Sequence, residues 1–195
     1  MAIMNDIEIQ LQDSIDTKKA LLTTNLDIIR NIADVLVRAF KNNHRLYLIG
    51  NGGSAADAQH IAGELIGRFK MNRRPLPAVA LTTDTSVITA LANDFGYDTC
   101  FARQVEALAN PGDVILAFST SGNSKGILNA VQIARNRGVI TIGFTGKDGG
   151  LLKDAVDICL KIPSDNVPRI QECHITVGHI LCSIVEKEIF GTVAT

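Results

Sequence analysis

Four side chains able to move protons or bind a metal fall on two well-separated segments. In "GNGGSAADAQHIAGE" (50 to 64), His60 and Glu64 stand four residues apart. On a helix that spacing puts them side by side on one face. In "RIQECHITVGHILCS" (169 to 183), Gln171, Ile175 and His179 follow one ridge in steps of four. His174 lies off that ridge, about 140° around from His179 at ~100° per residue. Two imidazoles, a carboxylate and an amide suit either acid–base work or metal ligation. Each also has a plainer use. Glu64 can pair with Arg68, again four residues on, and His60 can be a packed core histidine. Spacing alone does not bring two distant helices together.

A second cluster is made of hydroxyls. The stretch "VILAFSTSGNSKGIL" presents Ser119, Thr120, Ser121 and Ser124 around Gly122, between a strand-like run and a helical one. Backbone N–H groups at a helix start, joined by hydroxyls, form a site for a phosphate monoester. Ser and Thr also favour helix starts as caps, but four in six residues exceeds what one cap needs. The other strand-to-helix turn carries Gly50, Gly52 and Ala55, a loose match to the dinucleotide fingerprint. That cofactor calls for an acid about 20 residues on, at the end of the next strand. Here the next strand ends well beyond, at Asp84, and no Gly-x-x-x-x-Gly-Lys-Ser/Thr loop is present.

The elements that must position these groups follow from the apolar pattern. From Ile7 to about Lys41 the periodicity is helical, with Leu22, Leu26, Ile29, Ala33, Leu36 and Phe40 on one stripe. Five short apolar runs follow, at 45 to 50, 78 to 83, 113 to 120, 139 to 146 and 157 to 163. Near-continuous apolar strands alternating with helical stretches predict a parallel sheet covered on both faces. A last helix starts near Pro168 and runs to Phe190. No linker divides the 195 residues, so one α/β domain is expected, with a helical lead-in over 1 to 41 and the core and terminal helix over 42 to 195.

The net charge of −1, with 19 Lys and Arg scattered along the chain, offers no footprint for nucleic acid or a membrane surface. Cys100, Cys159, Cys173 and Cys182 show no CxxC pairing and read as buried thiols in a reducing compartment. With no basic-then-apolar start and no run of ~20 apolar residues, a cytoplasmic protein is expected.

Five segments, "GNGGSAADAQHIAGE", "LANDFGYD", "FSTSGNS", "FTGKDGG" and "RIQECHITVGHILCSIVEKEIF", together resemble the bacterial phosphoheptose isomerases of the sugar isomerase (SIS) fold. The resemblance runs in order along nearly the whole chain and is weakest over the helical N-terminus. It implies a three-layer sandwich with a five-stranded parallel sheet, and a homotetramer with active sites between subunits. The activity implied is conversion of sedoheptulose 7-phosphate to D-glycero-D-manno-heptose 7-phosphate, which begins heptose nucleotide synthesis for surface glycans such as lipopolysaccharide. Carried over by position, Asn51, Gly52, Gly53, Asn93 and Asp94 would contact the sugar, while Ser119, Thr120, Ser121 and Ser124 would hold the phosphate. His60, Glu64, Gln171 and His179 stand where the family places zinc ligands. Glu64 and Gln171 would also touch substrate, and Glu64 and His179 would be the acid–base pair. The segment "SDNVP" (164 to 168) has no match within the resemblance. A rival of the same fold is a non-catalytic tetramer that binds the bacterial replication initiator DnaA. That relative lacks the carboxylate found here at Glu64.

Overall fold

The computed structural model describes residues 2–191. Two helices come first, α1 (Ala2–Thr24) and α2 (Leu26–Lys41), followed by β1 (Leu46–Ile49), α3 (Gly53–Ile66), β2 (Ala78–Ala80) and α4 (Thr85–Phe95). A short 3-10 turn then leads into α5 (Cys100–Leu108), β3 (Val114–Phe118), α6 (Lys125–Asn136), β4 (Ile140–Thr145), α7 (Leu152–Ala155), β5 (Ile158–Lys161) and α8 (Val167–Phe190). All five apolar runs are strands, each trimmed by one to three residues at its ends. The helical lead-in consists of two helices, parted at Asn25. Of the expected stripe, Ile29, Ala33, Leu36 and Phe40 are buried, whereas Leu22 and Leu26 are exposed.

The sheet is wholly parallel, in the order β2-β1-β3-β4-β5. Every residue of β1 and β3 is buried, because helices cover both faces. One core joins Leu46, Leu48, Leu116, Phe118 and Phe144 to α2, α3 and α8. The other joins Tyr47, Ile49, Ile115 and Ala117 to α5, α6 and α7. Strand order reverses between β1 and β3, and parallel sheets open a crevice for ligands at the carboxyl ends of such strands. The loops leaving β1 and β3 are the two that carry the chemistry-bearing residues. Helix α8 begins at that same edge, with Pro168 in its first turn, and runs beside α3.

Candidate active site

Helices α3 and α8 run side by side in the same direction. Near their starts, a Cβ at Gly53 would lie 2.5 Å from Nε2 of Gln171, so only glycine leaves room for that amide. About two turns on, His60 Nε2 lies 2.8 Å from His179 Nε2 and 3.3 Å from Glu64 Oε1. Ligand atoms of these three residues all fall within 4.8 Å of one another. Nitrogens 2.8 Å apart cannot both keep bare lone pairs facing each other, so one ring presents its N–H to the other or the two share a cation. For a tetrahedral cation with N and O ligands at ~2.0 to 2.2 Å, donors fall roughly 3.3 Å apart, close to this spacing. Gln171 is eight residues before His179, about 12 Å along the helix at 1.5 Å per residue, and its amide lies at the loop end of the cluster.

The plainer readings of these residues find no support. His60 has a side chain 48% exposed and is not a core residue. Among the described residues Glu64 forms its ion pair with His60 and none with Arg68. His174, off the ridge, is fully buried between Phe118 and Phe144, with Nε2 3.3 Å from the Thr145 carbonyl. Burial pulls its pKa down to about 4, against the backbone hydrogen bond that raises it. It is a structural histidine of the α8–sheet contact.

The two strand-end loops are tied together. Asn51 donates from Nδ2 to Ser124 Oγ (2.9 Å), and its Oδ1 accepts from the Tyr97 hydroxyl (2.8 Å). Ser124 is the residue before α6 and Gly52 the residue before α3, and neither helix has a side-chain cap on its first N–H groups. At α3 the Ser54 and Ala55 N–H groups are taken by the Asn51 and Gly52 carbonyls (3.0 Å each), so the uncapped start of α6 is the one left as a setting for an anion. Ser119 is buried at the strand end, Thr120 and Ser124 are half-buried, and Ser121 is exposed. Gly122 has φ +67, and a Cβ there would come 2.0 Å from the Gly149 carbonyl. The loop after β4 therefore braces the hydroxyl loop, as does the bond from Gly146 N–H to the Thr120 carbonyl (2.9 Å). A cavity of 210 Å³ between them is lined by Thr120, Ser121, Lys147, Ser164 and Asp165, which puts part of the unmatched 164 to 168 segment beside this loop. An apolar cavity of 610 Å³ between β2, α4 and α5 holds none of these residues.

Asn93 and Asp94 sit exposed at the end of α4, hydrogen-bonded to each other (2.7 Å) and to neither loop. Three residues beside these groups were not singled out from the sequence. Tyr97 links α4's exit to Asn51; its signal was a lone hydroxyl in "LANDFGYD". Phe69 stacks on the His179 ring at 5.6 Å and 23°, and nothing in its sequence context marks it. Asp57, one turn before His60, has an Oδ2 that is buried without a partner. Burial holds its carboxyl up at about 6, partly offset by His60.

The SIS domain family matches residues 11–146. A phosphoheptose isomerase of Roseiflexus sp. (strain RS-1) is 53% identical over 181 residues, 93% of this chain and 92% of that protein. Among solved structures, a phosphoheptose isomerase from Francisella tularensis superposes with a TM-score of 0.93 at 38% identity, covering 96% of this chain and all of that one. Phosphoheptose isomerase GmhA from Neisseria gonorrhoeae gives 0.91 at 37% identity, over 95% and 99%.

Proposed function

Since the chain belongs to the phosphoheptose isomerases of the SIS domain family, we propose that it converts sedoheptulose 7-phosphate to D-glycero-D-manno-heptose 7-phosphate at the crevice between β1 and β3. This is the first step of heptose nucleotide synthesis for surface glycans, carried out in the cytoplasm. The observation that carries the reading is the meeting of His60, Glu64 and His179 on two helices whose starts adjoin an uncapped, hydroxyl-rich loop.

The chemistry asks for three things. A base must take a proton from C1, the C2 oxygen must be supported as the enediol forms, and a proton must then be delivered to C2 while the C1 hydroxyl becomes the carbonyl. Atoms balance with no added reductant. In this proposal Glu64 and His179 carry the protons. Ser119, Thr120, Ser121 and Ser124, with the first N–H groups of α6, hold the phosphate. Asn51, Gly52, Gly53, Asn93, Asp94, Glu64 and Gln171 orient the sugar. Asn51 is suited to this by its fixed amide, held between Ser124 and Tyr97.

The donor set of two imidazole nitrogens and a carboxylate oxygen fits zinc; Gln171, whose amide here lies against Gly53 at the loop end, is the proposed fourth ligand and would have to swing toward the other three. When bound, zinc supplies Lewis-acid stabilisation of negative charge on the sugar oxygens. A histidine nitrogen engaged with a cation cannot accept a proton at that moment, so His179 serves the two roles at different times.

The proposed assembly is a homotetramer with sites between subunits. In its favour, α4 has no buried residue, and α1 exposes Ile3, Met4, Ile7, Ile9, Leu11 and Ile15. No helix among the described residues is long and apolar enough to cross a membrane. The test is to incubate purified protein with sedoheptulose 7-phosphate, follow aldose formation, and measure mass by light scattering and bound metal by elemental analysis. Aldose formation by a tetramer is expected. A tetramer that binds the sugar phosphate but never isomerises it would favour the DnaA-binding alternative.

A further inference from the structure

The loop after α3 is folded around one buried carboxylate. Glu186 of α8 accepts from the backbone N–H groups of Phe69 (3.0 Å), Lys70 (2.9 Å) and Met71 (3.1 Å), and from Arg73 Nε (3.0 Å). Both charged side chains are only 2% exposed. Burial alone would raise the Glu186 carboxyl, but these donors together hold it below the usual carboxylate value. The far edge of the guanidinium turns back to α3. Nη2 donates to the Glu64 carbonyl (2.9 Å) and Nη1 to the Leu65 carbonyl (2.7 Å).

Those carbonyls belong to the last turn of α3, where helical partners run out. A left-handed glycine often closes such an end, but Gly67 has φ −74 and closes only onto Gly63. Arg73 takes that place, gripping the backbone of Glu64 itself. Glu186 lies two turns beyond His179 on α8, and the first loop residue it holds, Phe69, stacks on the His179 ring. One ion pair therefore joins the backbone of Glu64 to the ring of His179. Closing a loop does not require this, because a buried ion pair is rarely more stabilising than the apolar contact that could replace it. Arginine's planar fork is suited to holding several acceptors at fixed distances.

We propose that Arg73 and Glu186 are positioning residues that set the Glu64–His179 separation for proton transfer. The inference rests on Glu64 and His179 being the acid–base pair. Arg73→Lys keeps the charge for Glu186 but cannot span to both carbonyls, and Glu186→Gln keeps the volume. Each is expected to lower kcat roughly 10- to 100-fold, as misplacement by about 1 Å does, with KM for sedoheptulose 7-phosphate within about twofold. Arg74→Lys, at the ring of Phe190 but with no side-chain hold on α3, should be silent.

A double-mutant cycle separates positioning from general support. If Arg73 acts through Glu64, then Arg73→Lys added to Glu64→Gln should cost less than about twofold more in residual kcat. Folded Arg73→Lys and Glu186→Gln enzymes with normal kcat, or a fully multiplicative loss in the cycle, would overturn the proposal. Normal turnover by Glu64→Gln would instead overturn the acid–base reading, and this inference with it. Should neither latch variant fold, Phe69→Leu decides, since it spares the ion pair and removes the ring on His179. Its kcat is expected to fall with KM held, and an unchanged kcat overturns the proposal.

Discussion

The hydroxyl loop at the start of α6 and the polar cluster between α3 and α8 are built on opposite plans. The first is local. Six consecutive residues between a strand end and a helix start carry all four hydroxyls, and Gly122 lets the loop close against Gly149. The second is assembled from residues 115 and more apart in the chain, fixed only when two helices come into register. A local site anchors one end of a ligand, whereas a site across two helices can place groups on a reacting carbon without using the backbone donors that hold the anchor. Binding and chemistry are therefore expected to fail separately when each region is damaged.

Glu64→Gln offers the hardest test of that separation. The swap keeps volume but removes the basic oxygen, and general acid–base steps are worth ~10²- to 10⁴-fold. Turnover by the variant is expected to fall within that range while binding of the sugar phosphate by calorimetry changes little. Arg68→Ala is the control. With no ion pair to Glu64 in the structure, it should leave both unchanged. An equal loss of binding and turnover in Glu64→Gln would erase the distinction between the regions.

The next effect concerns α8, which serves both regions from different faces. His174, on the sheet side, has a pKa pulled down to about 4 by burial, against 6.5 unfolded. The unfolded chain thus binds the proton more readily, and stability is lost as pH falls from about 6.5 towards 4. The shift corresponds to roughly 3 kcal/mol. Asp57 has the opposite sign, since its raised pKa of about 6 favours the folded state at low pH. Comparing wild type with His174→Gln cancels Asp57. The variant's denaturation midpoint is expected to depend less on pH between 7 and 4, with kcat at neutral pH retained. Loss of kcat without loss of stability would place His174 in the chemistry after all.

What the sequence made legible follows the same divide. The hydroxyl loop's place between a strand and a helix start was legible, because composition and position along the chain are enough for a local feature. The α3–α8 cluster was half legible. Four-residue spacing paired His60 with Glu64 and separated His174 from His179, but only the fold shows that the helices run together and that Gln171 faces Gly53. Phe69, Arg73 and Glu186 were invisible. Their function lies in a loop's backbone turned onto a distant carboxylate, which leaves no periodicity behind. The break at Asn25 was equally hidden, since the apolar stripe continues across it.

A smaller loss should come from the loop itself. Removing one hydroxyl from a phosphate dianion sacrifices one charge-assisted hydrogen bond, worth ~1.5 to 3 kcal/mol at most and less where backbone donors remain. Ser119→Ala or Ser124→Ala is expected to raise KM about tenfold with kcat nearly unchanged. Unphosphorylated sedoheptulose should be a far poorer substrate for wild type. Equal turnover of the free and phosphorylated sugars would show that the loop is a helix cap rather than an anchor.

The smallest and most discriminating effect is expected from Tyr97→Phe. The hydroxyl makes one neutral hydrogen bond, to Asn51 Oδ1, and such bonds are worth ~0.5 to 1.5 kcal/mol. Because Tyr97 is half exposed, water can replace the lost donor, so stability should scarcely move. Asn51 also donates to Ser124, and without Tyr97 its amide is free to turn over and present the wrong atom to that hydroxyl. A rise in KM of about two- to tenfold is expected, with no change in melting temperature. Combined with Ser124→Ala, the loss should be less than the product of the two, because both act on the same amide. A multiplicative loss would mean that Tyr97 meets the ligand directly. The strand-end region would then extend to the exit of α4, beside Asn93 and Asp94, and would no longer be the purely local site contrasted with the helix pair.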